Sequence, residues 1–348
     1  MGAAFKLASQ TSICRLPDPL SLDSGATLPS VEMAYRTWGK LSVARDNVII
    51  LCHALTGSAD ADVWWAPLLG PGKAIDTGRW FVICSNVLGG CYGTTGPTSI
   101  APDGGWWGGR FPSLTVRDQV RAQVALANTL DVRGIHAVIG GSLGGLQALE
   151  WGWMGAGRVR AIMSLASSGR HSAWCLAWSQ AQRMALQADP RYRDGHYPKA
   201  DPPRQGLAAA RAIAMVSYRS PASLARRFGR KSDDQGRFAV NSWLQFHGGT
   251  LVDRFDAQTY RVLLDAMDTH DLARDRGEYA AVLQSLKIPV LIGSIDSDAL
   301  YVPSDQFDLA RLLPNAHLLQ IKSDHGHDGF LIDAELFAPE IQRFLDQV

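Results

Sequence analysis

The stretch Gly140-Gly141-Ser142-Leu143-Gly144-Gly145 constrains this chain more than any other. It fits G-x-S-x-G, in which a strand turns sharply into a helix and leaves the serine side chain at the top of a sheet. The flanks agree. Ile135-His136-Ala137-Val138-Ile139 is a short, mostly apolar run of the kind that forms a buried parallel strand, and residues 143–153 are rich in helix formers. Glycines on both sides of Ser142 let the turn close and let strand and helix approach. The bare pattern is common by chance, so its meaning depends on what else the chain supplies.

A serine hydroxyl is a poor nucleophile near neutral pH and needs a base in hydrogen-bond reach and an acid to orient that base. With an elbow serine these follow in chain order, each after a late strand. Asp298 follows the apolar run Pro289-Val290-Leu291-Ile292-Gly293, with Asp296 as its competitor. His327 follows a strand expected over 317–321, with His325 as its competitor. The loop after the strand Val48-Ile49-Ile50-Leu51-Cys52 supplies one backbone N–H of an oxyanion hole, and the residue after the nucleophile the other. That assigns Leu55 and Leu143 as backbone donors and leaves His53 a structural role at a strand end.

The order of elements predicts a parallel, doubly wound α/β sheet. A strand at Trp80-Phe81-Val82-Ile83-Cys84 precedes the glycine-rich loop 86–97, which matches neither a dinucleotide nor a P-loop signature. Thr115 and Asp118 form a capping box opening a helix that leads through Gly134 to the elbow strand. After a strand over 159–166 the alternation stops, and about 110 residues read as helix, too long for a loop. The expected organisation is therefore a core over 1–169, a helical lid inserted at 170–280, and the core resumed over 281–348, with residues 333–348 as a closing helix.

Composition narrows the partners. The 348 residues carry a net charge of +1, which gives no support to nucleic-acid or membrane-surface binding. No apolar run is long enough to span a bilayer, and residues 1–12 lack the form of a secretory signal. Five cysteines, spread out and without C-x-x-C spacing, fit reduced thiols in the cytoplasm better than a disulfide framework or a zinc site. Cys91 is a weaker nucleophile candidate than Ser142.

Together, His53-Ala54-Leu55-Thr56-Gly57, the loop 86–97, the elbow with Gln147-Ala148-Leu149-Glu150-Trp151, and Gly326-His327-Asp328 with Phe330-Leu331 resemble the homoserine O-acetyltransferase family of methionine biosynthesis, from about residue 20 onward. The resemblance implies an α/β-hydrolase fold with a helical lid, a homodimer, and acyl transfer from acetyl-CoA to L-homoserine without a metal or a permanently bound cofactor. It selects Asp298 over Asp296 and His327 over His325. It also implies that Arg211, in Gly206-Leu207-Ala208-Ala209-Ala210-Arg211, binds the amino acid with Tyr218 and Asp328. Two departures bear on the acyl donor: Gly57-Ser58 stands where many members have Gly-Asp, and the loop through Trp64-Trp65 is short. Succinyl-using relatives carry a lid arginine near Ser179, so its absence leans towards acetyl. A hydrolase with the same triad and a non-catalytic binding module are the rivals; the first has no need of Arg211 and Asp328, and the second none of an intact triad.

Overall fold

Runs of β-branched and aliphatic residues give eight strands joined in one sheet in the computed structural model, which describes residues 7–155 and 157–348. They are β1 (Ser12–Arg15), β2 (Glu32–Trp38), β3 (Val48–Cys52), β4 (Phe81–Ser85), β5 (Ile135–Gly141), β6 (Val159–Leu165), β7 (Val290–Ile295) and β8 (Ala316–Ile321). Their order across the sheet is β1-β2-β4-β3-β5-β6-β7-β8. The β1–β2 and β2–β4 pairs are antiparallel, and every pair from β4 to β8 is parallel. This is the mostly parallel α/β sheet expected. The reading of residues 1–12 as lacking a secretory signal lies outside the described residues as far as residue 6.

Strands β3, β5 and β7 are buried along their whole length, which explains why they read as continuous apolar runs and not as alternation. Alternate side chains feed two cores. Val48, Ile50, Val138 and Ile162 pack against helices on one face, among them Leu149 and Trp151 of α2 (Leu143–Met154) and Val120 of α1 (Val116–Thr129). Ile49, Leu51, Ile139 and Met163 pack on the other face against Phe337 and the closing helix. Thr115 caps α1 with the expected box: its hydroxyl accepts from the Asp118 N–H, and the Asp118 carboxylate accepts from the Thr115 N–H.

Between β6 and β7 lie helices α3 (Ala173–Gln187), α4 (Arg204–Ser217), α5 (Pro221–Phe228), α6 (Ala239–Val252) and α7 (Ala257–Asp268). Leu186, Leu207, Leu251 and Leu263 of this group share a core with Leu55, Leu143, Leu300 and Tyr301, so the helices sit over the carboxyl ends of the strands. A further helix, α8 (Tyr279–Ser285), returns to the sheet, where Leu283 is buried beside Ile162. It is followed by α9 (Pro303–Leu312) after β7. The closing helix expected over 333–348 is divided: a 3-10 turn spans Ala334–Phe337 and α10 spans Ala338–Gln347. Pro339 lies in the first turn of α10, where its missing N–H is harmless; a helix running through it would lose a backbone bond.

Candidate active site

Ser142 joins β5 to α2 with φ 57° and ψ −127°, a conformation rarely adopted by a residue with a side chain. Such strain costs on the order of 1–3 kcal/mol and persists where the surroundings over-determine it. They do so here. The Ser142 N–H donates to the Leu165 carbonyl on β6 at 2.9 Å, and the Ser142 carbonyl accepts from the Gly145 N–H at 2.8 Å. A Cβ on Gly144 would collide with the Cys52 carbonyl oxygen, so only glycine lets α2 start this close to β3. The serine is left 5% exposed, and Leu143 after it packs in the core shared with the lid helices.

Its hydroxyl meets His327 Nε2 at 2.9 Å, and His327 Nδ1 meets Asp298 Oδ2 at 2.8 Å. The other carboxylate oxygen of Asp298 accepts from the N–H groups of Leu300 and Tyr301 at 2.8 and 3.0 Å, which fixes the acid before it touches the imidazole. Burial opposes a charge on His327, but the adjacent Asp298 carboxylate, its hydrogen bond and Asp328 outweigh it, and the imidazole is held above its ordinary value. The competitors do other work. Asp296 accepts from the Ser323 N–H at 3.0 Å and so ties the base loop to the acid loop. His325 lies 3.2 Å from an Arg219 nitrogen, outside the chain of contacts that reaches Ser142.

Leu55 and Leu143 are both buried against the site, and neither backbone N–H has an acceptor among the described residues. Leu143 opens α2, where the first N–H groups of a helix have no internal partner. The Leu55 N–H shares its planar peptide unit with the Ala54 carbonyl, and that oxygen is held twice. It accepts from the Gly57 N–H at 2.8 Å and lies 2.8 Å from His53 Nδ1. His53 Nε2 accepts from the Val87 N–H at 3.0 Å, so the proton sits on Nδ1. Burial pushes the His53 imidazole down to about 4 and keeps it neutral. The structural role expected for His53 is thus a specific one, holding the Ala54–Leu55 peptide plane in place. Cys91 is buried, and desolvation pushes its thiol far up, away from the thiolate that a cysteine nucleophile uses.

Arg211, Tyr218 and Asp328 come together near His327. The Tyr218 ring lies 5.6 Å from the His327 ring, and the Arg211 guanidinium lies 5.3 Å from the Tyr218 ring centre. The Asp328 N–H donates to the Tyr218 carbonyl at 3.1 Å, joining the end of α4 to the histidine turn. Gly326 (φ 68°) makes that approach possible, because a Cβ there would run into the backbone of Arg219 and Ser220. Burial holds the Asp328 carboxyl above its usual range, against the pull of Arg219, His327 and Arg211. Sequence reasoning missed Arg219, whose Nε sits 3.1 Å from Asp328 Oδ2. Its place beside Tyr218 was the one available signal. Arg211 also lines a cavity of about 740 Å³ with Ala54, Tyr92, Gly141, Arg254 and Phe330. A larger cavity of about 910 Å³, between the glycine-rich loop and the lid helices, is lined by Cys91 but by none of Ser142, Asp298, His327, Arg211, Tyr218 and Asp328. Ser179 is buried on α3 with no arginine at that position.

A serine at a strand-to-helix elbow, in contact with a histidine and through it an aspartate that follow later strands of a mostly parallel sheet, is an arrangement typical of enzymes of the α/β hydrolase fold, and the family described by that fold matches residues 47–334. Over 329 residues the chain is 54% identical to homoserine O-acetyltransferase of Trichormus variabilis, covering 94% of this chain and 91% of that protein. Among solved structures, homoserine O-acetyltransferase from Bacillus anthracis is similar at TM-score 0.90 and 25% identity, over 97% of this chain and 98% of that one. Esterase E22 is similar at TM-score 0.88 and 27% identity, over 96% of this chain and 99% of that one. The chain belongs to the homoserine O-acetyltransferase family.

Proposed function

We propose that this chain transfers an acetyl group from acetyl-CoA to the hydroxyl of L-homoserine, in two stages through an acyl-serine. Ser142 Oγ attacks the thioester carbon while His327 Nε2 takes its proton. The carbonyl electrons move onto oxygen, where the N–H groups of Leu55 and Leu143 receive the charge. As the carbon–sulfur bond breaks, His327 returns the proton to the thiolate, and CoA leaves. Homoserine then gives its hydroxyl proton to His327 and attacks the acyl carbon, and Ser142 recovers its proton as O-acetylhomoserine departs. Asp298 keeps the imidazole in the right tautomer and stabilises its charged form. None of these steps calls for a metal or a resident cofactor.

The observation that carries the reading is the pairing of a complete proton path, Asp298 to His327 to Ser142, with a set of opposite charges, Arg211, Arg219 and Asp328, beside it. The Arg211 guanidinium suits the carboxylate of homoserine and Asp328 its ammonium, with Tyr218 between them. Because Arg219 already pairs with Asp328, that carboxylate serves two cations in the acceptor complex. A homodimer in the cytoplasm completes the proposal. Val216, Phe238 and Phe246 of the lid region are exposed apolar side chains suited to a partner surface, and the five cysteines are unbonded. Likeness to esterase E22 supports a second reading, hydrolysis with water as the acceptor.

One assay separates the two. With acetyl-CoA alone, the acyltransferase releases thiol in a burst near one per site and then slowly, and homoserine restores steady turnover. Ser142→Ala gives neither burst nor labelled protein. Steady release at full rate without homoserine assigns the chain to the hydrolases.

A further inference from the structure

The oxyanion loop is held from the lid as well as from the sheet. Arg254 lies between α6 and α7, and its Nη1 donates to the Thr56 carbonyl at 2.8 Å and to the Tyr92 hydroxyl at 2.7 Å. That hydroxyl donates back to the Arg254 carbonyl at 2.8 Å, and the Tyr92 ring meets Phe255 edge-on at 5.8 Å. The arginine is therefore anchored at both its backbone and its head before it reaches the loop.

What it grips matters. The Thr56 carbonyl and the Gly57 N–H belong to one planar peptide unit. The Gly57 N–H donates to the Ala54 carbonyl at 2.8 Å, and that carbonyl shares its own planar unit with the Leu55 N–H. Two rigid units thus stand in series: Arg254 holds the oxygen of the first, whose N–H holds the oxygen of the second, whose N–H is the oxyanion donor. Turning the first plane turns the second. Hydrogen bonds in such a chain also polarise one another, and a cation at its head draws electrons away from the terminal N–H.

We propose that Arg254 is a positioning residue for the oxyanion hole, so that the hole is complete only when the lid segment carrying it is seated. The inference rests on the acyl-serine reading above, with Leu55 as a donor. It yields a signature that substrate binding does not. Both half-reactions pass through a tetrahedral oxyanion at the same donors, so loss of the brace slows both alike and leaves substrate affinity unchanged. Because Arg254 also lines the 740 Å³ cavity, direct contact with either substrate is the rival explanation.

The test uses Arg254→Met, which keeps much of the stem and removes the donors, and Tyr92→Phe, which removes the hydroxyl that anchors it. Stopped-flow thiol release gives acylation, and a homoserine titration of the acyl-enzyme gives transfer. For Arg254→Met both rate constants should fall by about 10- to 100-fold, less than for outright loss of an oxyanion donor. The half-saturating acetyl-CoA and homoserine concentrations and the pH midpoint of acylation should stay in place. Tyr92→Phe should show the same even pattern at about 3- to 10-fold, the scale of one neutral hydrogen bond, and it carries the test if Arg254→Met fails to fold. Loss confined to one stage, a raised requirement for either substrate, or a shifted pH midpoint would overturn the brace. Normal rates in both stages would overturn it too, while the acyl-serine reading stood. A wild-type protein that forms no acyl-enzyme would remove both.

Discussion

Replacing Asp298 by asparagine tests the triad through the direction of one side-chain amide. One oxygen of Asp298 accepts from two backbone N–H groups, of Leu300 and Tyr301, and the other faces His327 Nδ1. An asparagine of the same shape keeps its carbonyl oxygen on the two backbone donors and turns its NH2 group to the imidazole. Reversing it would set that NH2 against two N–H groups, and two buried donors left unmet cost about 2–6 kcal/mol in all. With an NH2 facing Nδ1, the ring must accept there and carry its proton on Nε2, the nitrogen that faces Ser142. A base already protonated towards its nucleophile cannot take the serine proton. Acylation should therefore fall by about a thousandfold to ten-thousandfold, in line with the loss when this geometry is kept but the tautomer is wrong. The assay is single-turnover thiol release from acetyl-CoA, with Ser142→Ala as the zero. Thermal unfolding should change little, because both backbone bonds remain. Acylation within tenfold of wild type, or a larger loss for Asp296→Asn, would refute the reasoning.

Two further outcomes follow from the same geometry. Neighbouring carboxylates hold His327 above its ordinary 6.5, and the base must be neutral to act, so acylation should rise with pH through a midpoint above 6.5 and be lost below it; a midpoint well under 6.5 in a pH–rate profile contradicts this. Arg211→Lys keeps the charge but loses the planar fork, so the acyl-enzyme should form normally while the homoserine requirement rises by about 1–3 kcal/mol, or roughly 5- to 150-fold, on titration; equal damage to acylation would place Arg211 elsewhere in the cycle.

The turn at Ser142 was legible because a buried strand, a helix and the glycines between them are contiguous in sequence, although what forces Gly141, Gly144 and Gly145 is distant: Phe330, the Cys52 carbonyl and Ser167. The parallel strands β3 to β8 were legible as apolar runs, whereas β1, four residues at the sheet edge, was not read, and strand ends were less legible than strands. Residues 317–321 were expected as a strand that begins at Ala316, and Pro339 divides a closing helix that composition alone runs together. Asp298 and Asp296 could not be separated by spacing, because both follow β7; what separates them is that Asp298 reaches the His327 imidazole whereas Asp296 meets the Ser323 N–H. Arg219 and Arg254 stayed hidden for a different reason. Each acts on a partner more than a hundred positions away, through a contact that exists only once the lid helices are packed.

The serine and its base are 185 positions apart, with every lid helix between them. During synthesis from the N-terminus, the sheet up to β6 and the elbow leave the ribosome long before β7 and β8 exist to hold Asp298 and His327. A nascent or proteolytically shortened chain that stops before the histidine turn thus carries a serine with no base. On the proposed mechanism the activating parts arrive last, so acyl-CoA would meet a working nucleophile only in chains whose acceptor pocket has also been made.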